Sequence, residues 1–248
     1  MDNINSSELA VLVKKYSHFF EEIRRRVLFS LVFFVLAAIV GFIFYEDIIR
    51  FLIRALGLEK INIVFTSPFQ FINLAFSCGL VTGFVIIVPL IIFQILSFLK
   101  PALKAKEFNQ TVRSLPSSIF LFLAGFVFGI LAMKWQMELF LEKSISLNIG
   151  NVLDISGILT TALLTGLIMG LGFQLPIILL FLLNIGIVDR QQLISKRSWV
   201  YLGSFIFAMF LPLDSILADV LLALPFILLY EGTLILNLLM TKGRGKKK

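Results

Sequence analysis

Six stretches of this chain are too long and too apolar for a water-soluble fold to hide: Val27–Tyr45, Phe69–Phe98, Leu115–Trp135, Ile158–Ile187, Trp199–Pro212 and Ile216–Met240. Crossing a hydrocarbon core of about 30 Å takes about 20 helical residues. In lipid the backbone must pair its own polar groups, which leaves helices and closed barrels. The runs are continuous, without period-2 alternation, so they read as helices. Composition agrees: 59% hydrophobic, 15% charged, mean hydropathy +1.00, against about 45–50% and about 25% for soluble domains. The expected fold class is an all-α integral membrane protein with six transmembrane helices. Two spans are unusual. The fifth, about 14 residues, reaches only about 21 Å, and the sixth is interrupted by Asp219, Pro225 and Glu231. A short span thins the bilayer or sinks beneath its neighbours.

Basic residues orient such a chain, because cytoplasmic segments carry the excess of Lys and Arg. Seventeen of the 22 fall before span 1, in the loops after spans 2 and 4, and in the tail; five fall on the other side. Both termini are therefore expected in the cytoplasm of a cell membrane. The same distribution, beside apolar spans and without a recognisable nucleic-acid module, argues against nucleic acid despite a net charge of +7.

One domain is expected: a cytoplasmic N-terminal segment 1–26, a six-helix bundle 27–240 and a basic tail 241–248. The first segment is charged and has no apolar core of a cleavable signal. Within it, Leu9, Leu12, Val13, Tyr16, Phe19, Phe20 and Ile23 recur at helical spacing, predicting an amphipathic helix on the inner leaflet. The segments 46–68 and 136–157 are expected to form a compact cap on the opposite side.

Catalytic chemistry has little to work with. The one histidine, His18, lies outside the spans, and a zinc-protease helix needs two. No Walker A motif is present. One cysteine, Cys78, makes neither a disulfide nor a zinc cluster. The chain reads as a non-enzyme without cofactor or metal.

Polar groups within or beside the spans carry more information, since burying them in lipid is costly. They are Asn73, Gln94, Gln174, Asn184, Asp214, Asp219 and Glu231. Gln174 serves either as interhelical glue or as a polar contact for a passing segment. No basic or carboxylate partner for Glu231 is visible inside the spans, which favours a structural role. At the cytoplasmic edge, Glu21, Glu22 and Glu107 either bind a cationic ligand or pair locally with Arg24–Arg26 and Lys106.

Several short motifs then fall in order. They are His18-Phe19-Phe20-Glu21-Glu22-Ile23-Arg24-Arg25-Arg26, Ser67-Pro68-Phe69, Phe93-Gln94 through Phe98-Leu99-Lys100-Pro101-Ala102-Leu103 to Glu107, Gly172-Phe173-Gln174-Leu175-Pro176, and Leu224-Pro225 before Glu231. Together they resemble the TatC family, the multispanning receptor subunit of the twin-arginine protein translocase. The stretch from Gln94 to Glu107 is the most specific part.

The resemblance implies a concave bundle that binds twin-arginine signal peptides on its cytoplasmic face. It recruits single-span TatA/TatB-like partners in an oligomeric complex and exports folded proteins on the proton-motive force. By resemblance Glu22 and Glu107 bind the arginine pair, with Gln94, Phe98, Pro101 and Leu103 around the peptide. His18 stands three residues before Glu21 and four before Glu22, and either offset brings a glutamate onto the face of His18; the following Glu-Ile-Arg-Arg-Arg-Val matches best with Glu22, with Glu21 the alternative. Where the family carries a glutamate in span 4, this chain has Gln174. Met209, Asp214 and Asp219 fall near the family's contact for a partner helix. Two other classes compete: a small secondary transporter, which requires repeats and a midplane site, and a membrane insertase or assembly scaffold. Neither gives Glu107 a role.

Overall fold

The computed structural model describes residues 6–60, 63–65, 67–99, 115–148, 153–184, 186–211 and 216–245. The helices are α1 (Ser6–Ile43), α2 (Tyr45–Leu56), α3 (Pro68–Leu99), α4 (Leu115–Ser146), α5 (Ile155–Gly172), α6 (Leu175–Asn184), α7 (Arg190–Ser195), α8 (Arg197–Met209) and α9 (Ile216–Gly245). Two short strands, β1 (Ile63–Val64) and β2 (Leu153–Asp154), pair in parallel, Ile63 opposite Leu153 and Val64 opposite Asp154.

Among the described residues, five segments are long and apolar enough to cross a membrane: Phe20–Ile43, Pro68–Ile95, Pro116–Ser146, Ile155–Leu183 and Ile216–Leu238. The fifth expected span is α8, whose 13 residues fall below that length. Two boundaries differ from expectation. The amphipathic segment and span 1 form one uninterrupted helix of 38 residues, because nothing between Glu22 and Val27 breaks helical propensity. Span 3 continues to Ser146, past the charges that begin at Lys134, because Met133 and Met137 pack in the core with Leu52 and Leu56 of α2.

Span 4 is two helices. Pro176 has no N–H to give to the carbonyl four residues back, and its ring clashes there. The chain turns at Phe173-Gln174, and Ile177 and Ile178 both donate to the Gln174 carbonyl at 3.1 Å. Pro89 and Pro225, by contrast, sit inside α3 and α9 without ending them.

The core lies among α2, α3, α4, α5 and α9, around Leu52, Leu74, Phe122, Leu159, Met169 and Leu222. Close backbone approach holds α4 to α5: a Cβ on Gly129 would meet the Gly166 Cα at 2.7 Å and the Thr165 carbonyl oxygen at 2.8 Å. α1 packs chiefly on α3 and otherwise leaves Val27, Leu31, Leu36 and Ile43 exposed, as lipid requires.

At the end holding the strands, Gly57 closes α2 at φ 70°, and its N–H donates to the Arg54 carbonyl. Asp154 caps α5 by accepting from the Ser156 and Gly157 N–H groups, both at 3.1 Å. Gln70 at the start of α3 donates to the same carboxylate at 3.3 Å.

Candidate functional site

Three groups of polar side chains stand out against this apolar frame. The first joins α1 to α3. Glu22 and Arg26 are one turn apart on the face of α1 that is half-buried, whereas Glu21, Arg24 and Arg25 are exposed. Arg26 donates to Glu22 Oε1 from Nη2 at 2.6 Å and from Nε at 3.1 Å. Its Nη1 donates to the Gln94 carbonyl at 2.9 Å. The Gln94 amide nitrogen is buried with no hydrogen-bond partner among the described residues. Beside this junction lies a cavity of about 390 Å³ lined by Ile23, Arg26, Val27, Ile91, Gln94 and Ile95. It presents an apolar wall next to the guanidinium of Arg26, which is paired with Glu22. The local pairing left open in the sequence is therefore present at Glu22, with Arg26 as its partner.

The second group is buried at the break in span 4. Gln174 is 3% exposed. Its Oε1 accepts from the Ser118 hydroxyl at 2.6 Å, and its Nε2 donates to the carbonyls of Ser118 at 3.2 Å and Gly170 at 3.4 Å. An amide suits this position because it donates and accepts at once. Both halves of the side chain are engaged in holding α4 to the break.

The third group corrects the expectation for Glu231. Arg197, counted in the sequence as a loop charge, opens α8 and lies 2.9 Å from Glu231 Oε2. The Tyr201 hydroxyl donates to Oε1 at 2.5 Å. Glu231 thus has a basic partner, brought to it by the packing of α8 on α9.

The remaining candidates are scattered. Met209 ends α8 and is 60% exposed. Asp219, in the first turn of α9, is 8% exposed, and its Oδ1 has no hydrogen-bond partner among the described residues. Pro101, Leu103, Glu107 and Asp214 lie outside the described residues, as does the side chain of Phe98 in the last turn of α3. Among the described residues no three His, Cys, Asp or Glu gather as metal ligands. Sequence reasoning missed Ser118 and Tyr201 and misread Arg197, which meet their partners across 30 to 56 residues; only Arg26, four residues from Glu22, carried a local signal.

Long apolar helices packed through close glycine contacts, with polar side chains paired between them, define a multi-pass α-helical membrane protein. Comparison with known proteins makes this specific. The family model for the Sec-independent protein translocase protein (TatC) matches residues 18–225. The chain is 30% identical to the Sec-independent protein translocase protein TatCy of Bacillus subtilis (strain 168) over 223 residues, 87% of this chain and 85% of that one. It is 27% identical to TatC of Escherichia coli (strain K12) over 235 residues, covering 92% and 90%. The fold is similar to a crystal structure of the twin arginine translocase receptor TatC, with TM-score 0.78 and 25% identity, covering 88% of this chain and 98% of that one. The chain belongs to the TatC family, a membrane component of Sec-independent, twin-arginine protein translocation.

Proposed function

We propose that this chain is the signal-peptide receptor of its translocase. It crosses the cell membrane six times with both termini in the cytoplasm. The Lys and Arg distribution supports that orientation, and α8 is the short additional crossing. Glu22 on α1 and Glu107 in the loop after α3 take the two guanidinium groups of a twin-arginine signal peptide at the cytoplasmic face. The observation that carries this reading is the half-buried Glu22 carboxylate already holding the guanidinium of Arg26, which itself lines an apolar cavity. A peptide with an arginine pair followed by an apolar stretch needs those two surfaces together. Arginine is preferred over lysine because its planar fork matches a carboxylate.

Single-span TatA/TatB-like helices dock near the exposed Met209 and the buried Asp219, with Asp214 in the intervening loop. Folded cargo crosses at the assembly that results, driven by the proton-motive force. The protein acts by recognition and assembly rather than by catalysis.

Titrating the protein in nanodiscs with a fluorescent Arg-Arg signal peptide tests the site. Glu22→Gln and Glu107→Gln should each weaken binding by tenfold or so, and Glu21→Gln, on the exposed face, far less. Unaltered affinity in both variants would remove the proposed site.

A further inference from the structure

Glu22 already holds a guanidinium from its own helix. Arg26 places two of its three nitrogens on one oxygen of Glu22, at 2.6 and 3.1 Å. An incoming arginine would pair with the same carboxylate. The order, Glu four residues before Arg, is the favourable one on a helix. The two neighbouring arginines do not compete for this position, since Arg24 and Arg25 are on the exposed side of α1.

Resting on the receptor reading above, we propose that Arg26 is an internal stand-in for the signal peptide's arginine, occupying Glu22 in the peptide-free protein and leaving it when a peptide binds. The geometry makes the exchange possible in two ways. Arg26 and Glu22 side chains are 28% and 38% exposed, so a guanidinium can reach the pair from water. Arg26 also has a second anchor, because Nη1 donates to the Gln94 carbonyl at 2.9 Å. Giving up Glu22 leaves that bond in place, so the displaced cation keeps an acceptor beside the apolar cavity.

The consequence is quantitative. An internal competitor weakens every ligand of the same carboxylate by one common factor and leaves their ratio unchanged. A partly exposed i,i+4 pair is weak, so the factor is about two to five.

The test uses the full chain in nanodiscs and two synthetic signal peptides that differ only in Arg-Arg or Lys-Lys. Arg26→Gln should tighten binding of both peptides by the same factor, about two to five. Arg26→Lys, which reaches the carboxylate with a single nitrogen, should tighten both by less. If Arg26→Gln weakens binding or leaves it unchanged while Glu22→Gln weakens it as expected, the stand-in is wrong and the receptor reading of Glu22 survives. If Glu22→Gln binds like the parent, the receptor reading of Glu22 fails instead. Should Arg26→Gln not fold, Arg26→Lys decides by the same sign.

Discussion

Arg197 and Glu231 meet at 2.9 Å across the packing of α8 on α9, with Tyr201 donating to the second carboxylate oxygen. At the residue before Glu231 the Tyr230 hydroxyl donates to the Leu193 carbonyl at 2.8 Å, adding α7 to the same cluster. Short α8 buries little on its own; only Ser204 and Ala208 are buried along it. The cluster therefore does much to set how α8 sits on α9. Glu231→Leu should lower stability by about 1–2 kcal/mol, because it strands a partly exposed Arg197 and a tyrosine hydroxyl. Glu231→Gln keeps an oxygen that can accept from Arg197 and an amide nitrogen that can donate to the Tyr201 oxygen, so it should cost less. Thermal unfolding in detergent measures both, and parent-like stability of Glu231→Leu would deny the cluster its weight.

Gln174 makes the opposite demand. Its amide gives two hydrogen bonds to carbonyls and receives one from Ser118. A carboxylate can only accept, so an ionised glutamate would face the Ser118 and Gly170 carbonyls with like-signed oxygens. Gln174→Glu should destabilise the protein by about 2 kcal/mol or more at neutral pH, and by less at low pH, where the protonated acid regains one donor. Unfolding curves at pH 8 and pH 5 should separate. Coincident curves would show that the site relaxes around the charge.

Glycine substitutions should divide by position. At Gly129 an added Cβ meets backbone of α5 at 2.7–2.9 Å, which only a shift of the helix relieves. At Gly203 nothing lies within 4 Å. Gly129→Ala should cost about 1–3 kcal/mol, whereas Gly203→Ala should be neutral or stabilising by about 0.5–1 kcal/mol through helix propensity. Thermal shifts of the two variants in the same detergent check the contrast.

What the sequence exposed was whatever depends on local composition. Five apolar segments could be read directly, as could the closeness of Glu22 to Arg24–Arg26, whereas the break at Pro176 was read through as one span because hydropathy does not fall there. Helix ends were harder. The hydropathy of α4 falls at Lys134, yet its helix runs on because Met137 is wanted by α2, a tertiary reason that no window sees. The polar pairs were harder still. Arg197 looked like a loop charge because its partner is 34 residues away, and Ser118 looked like filler because Gln174 is 56 away. Motif resemblance found Glu22, Gln94 and Gln174 without knowing what they touch.

Span length offers a functional prediction. α8 has 13 residues, about 20 Å of helix against a core of about 30 Å. The proposed crossing is short enough to thin the bilayer where cargo passes. Inserting four leucines into α8 should impair export of a folded reporter while leaving signal-peptide binding intact. Unchanged export would remove thinning from the account.

The central claim, recognition of an arginine pair at the loop after α3, has a direct test. A photo-reactive residue at Leu103 should crosslink an Arg-Arg signal peptide and not its Lys-Lys counterpart, and Glu107→Gln should abolish the Arg-Arg product. Equal labelling of both peptides, or labelling that survives Glu107→Gln, would contradict the receptor assignment.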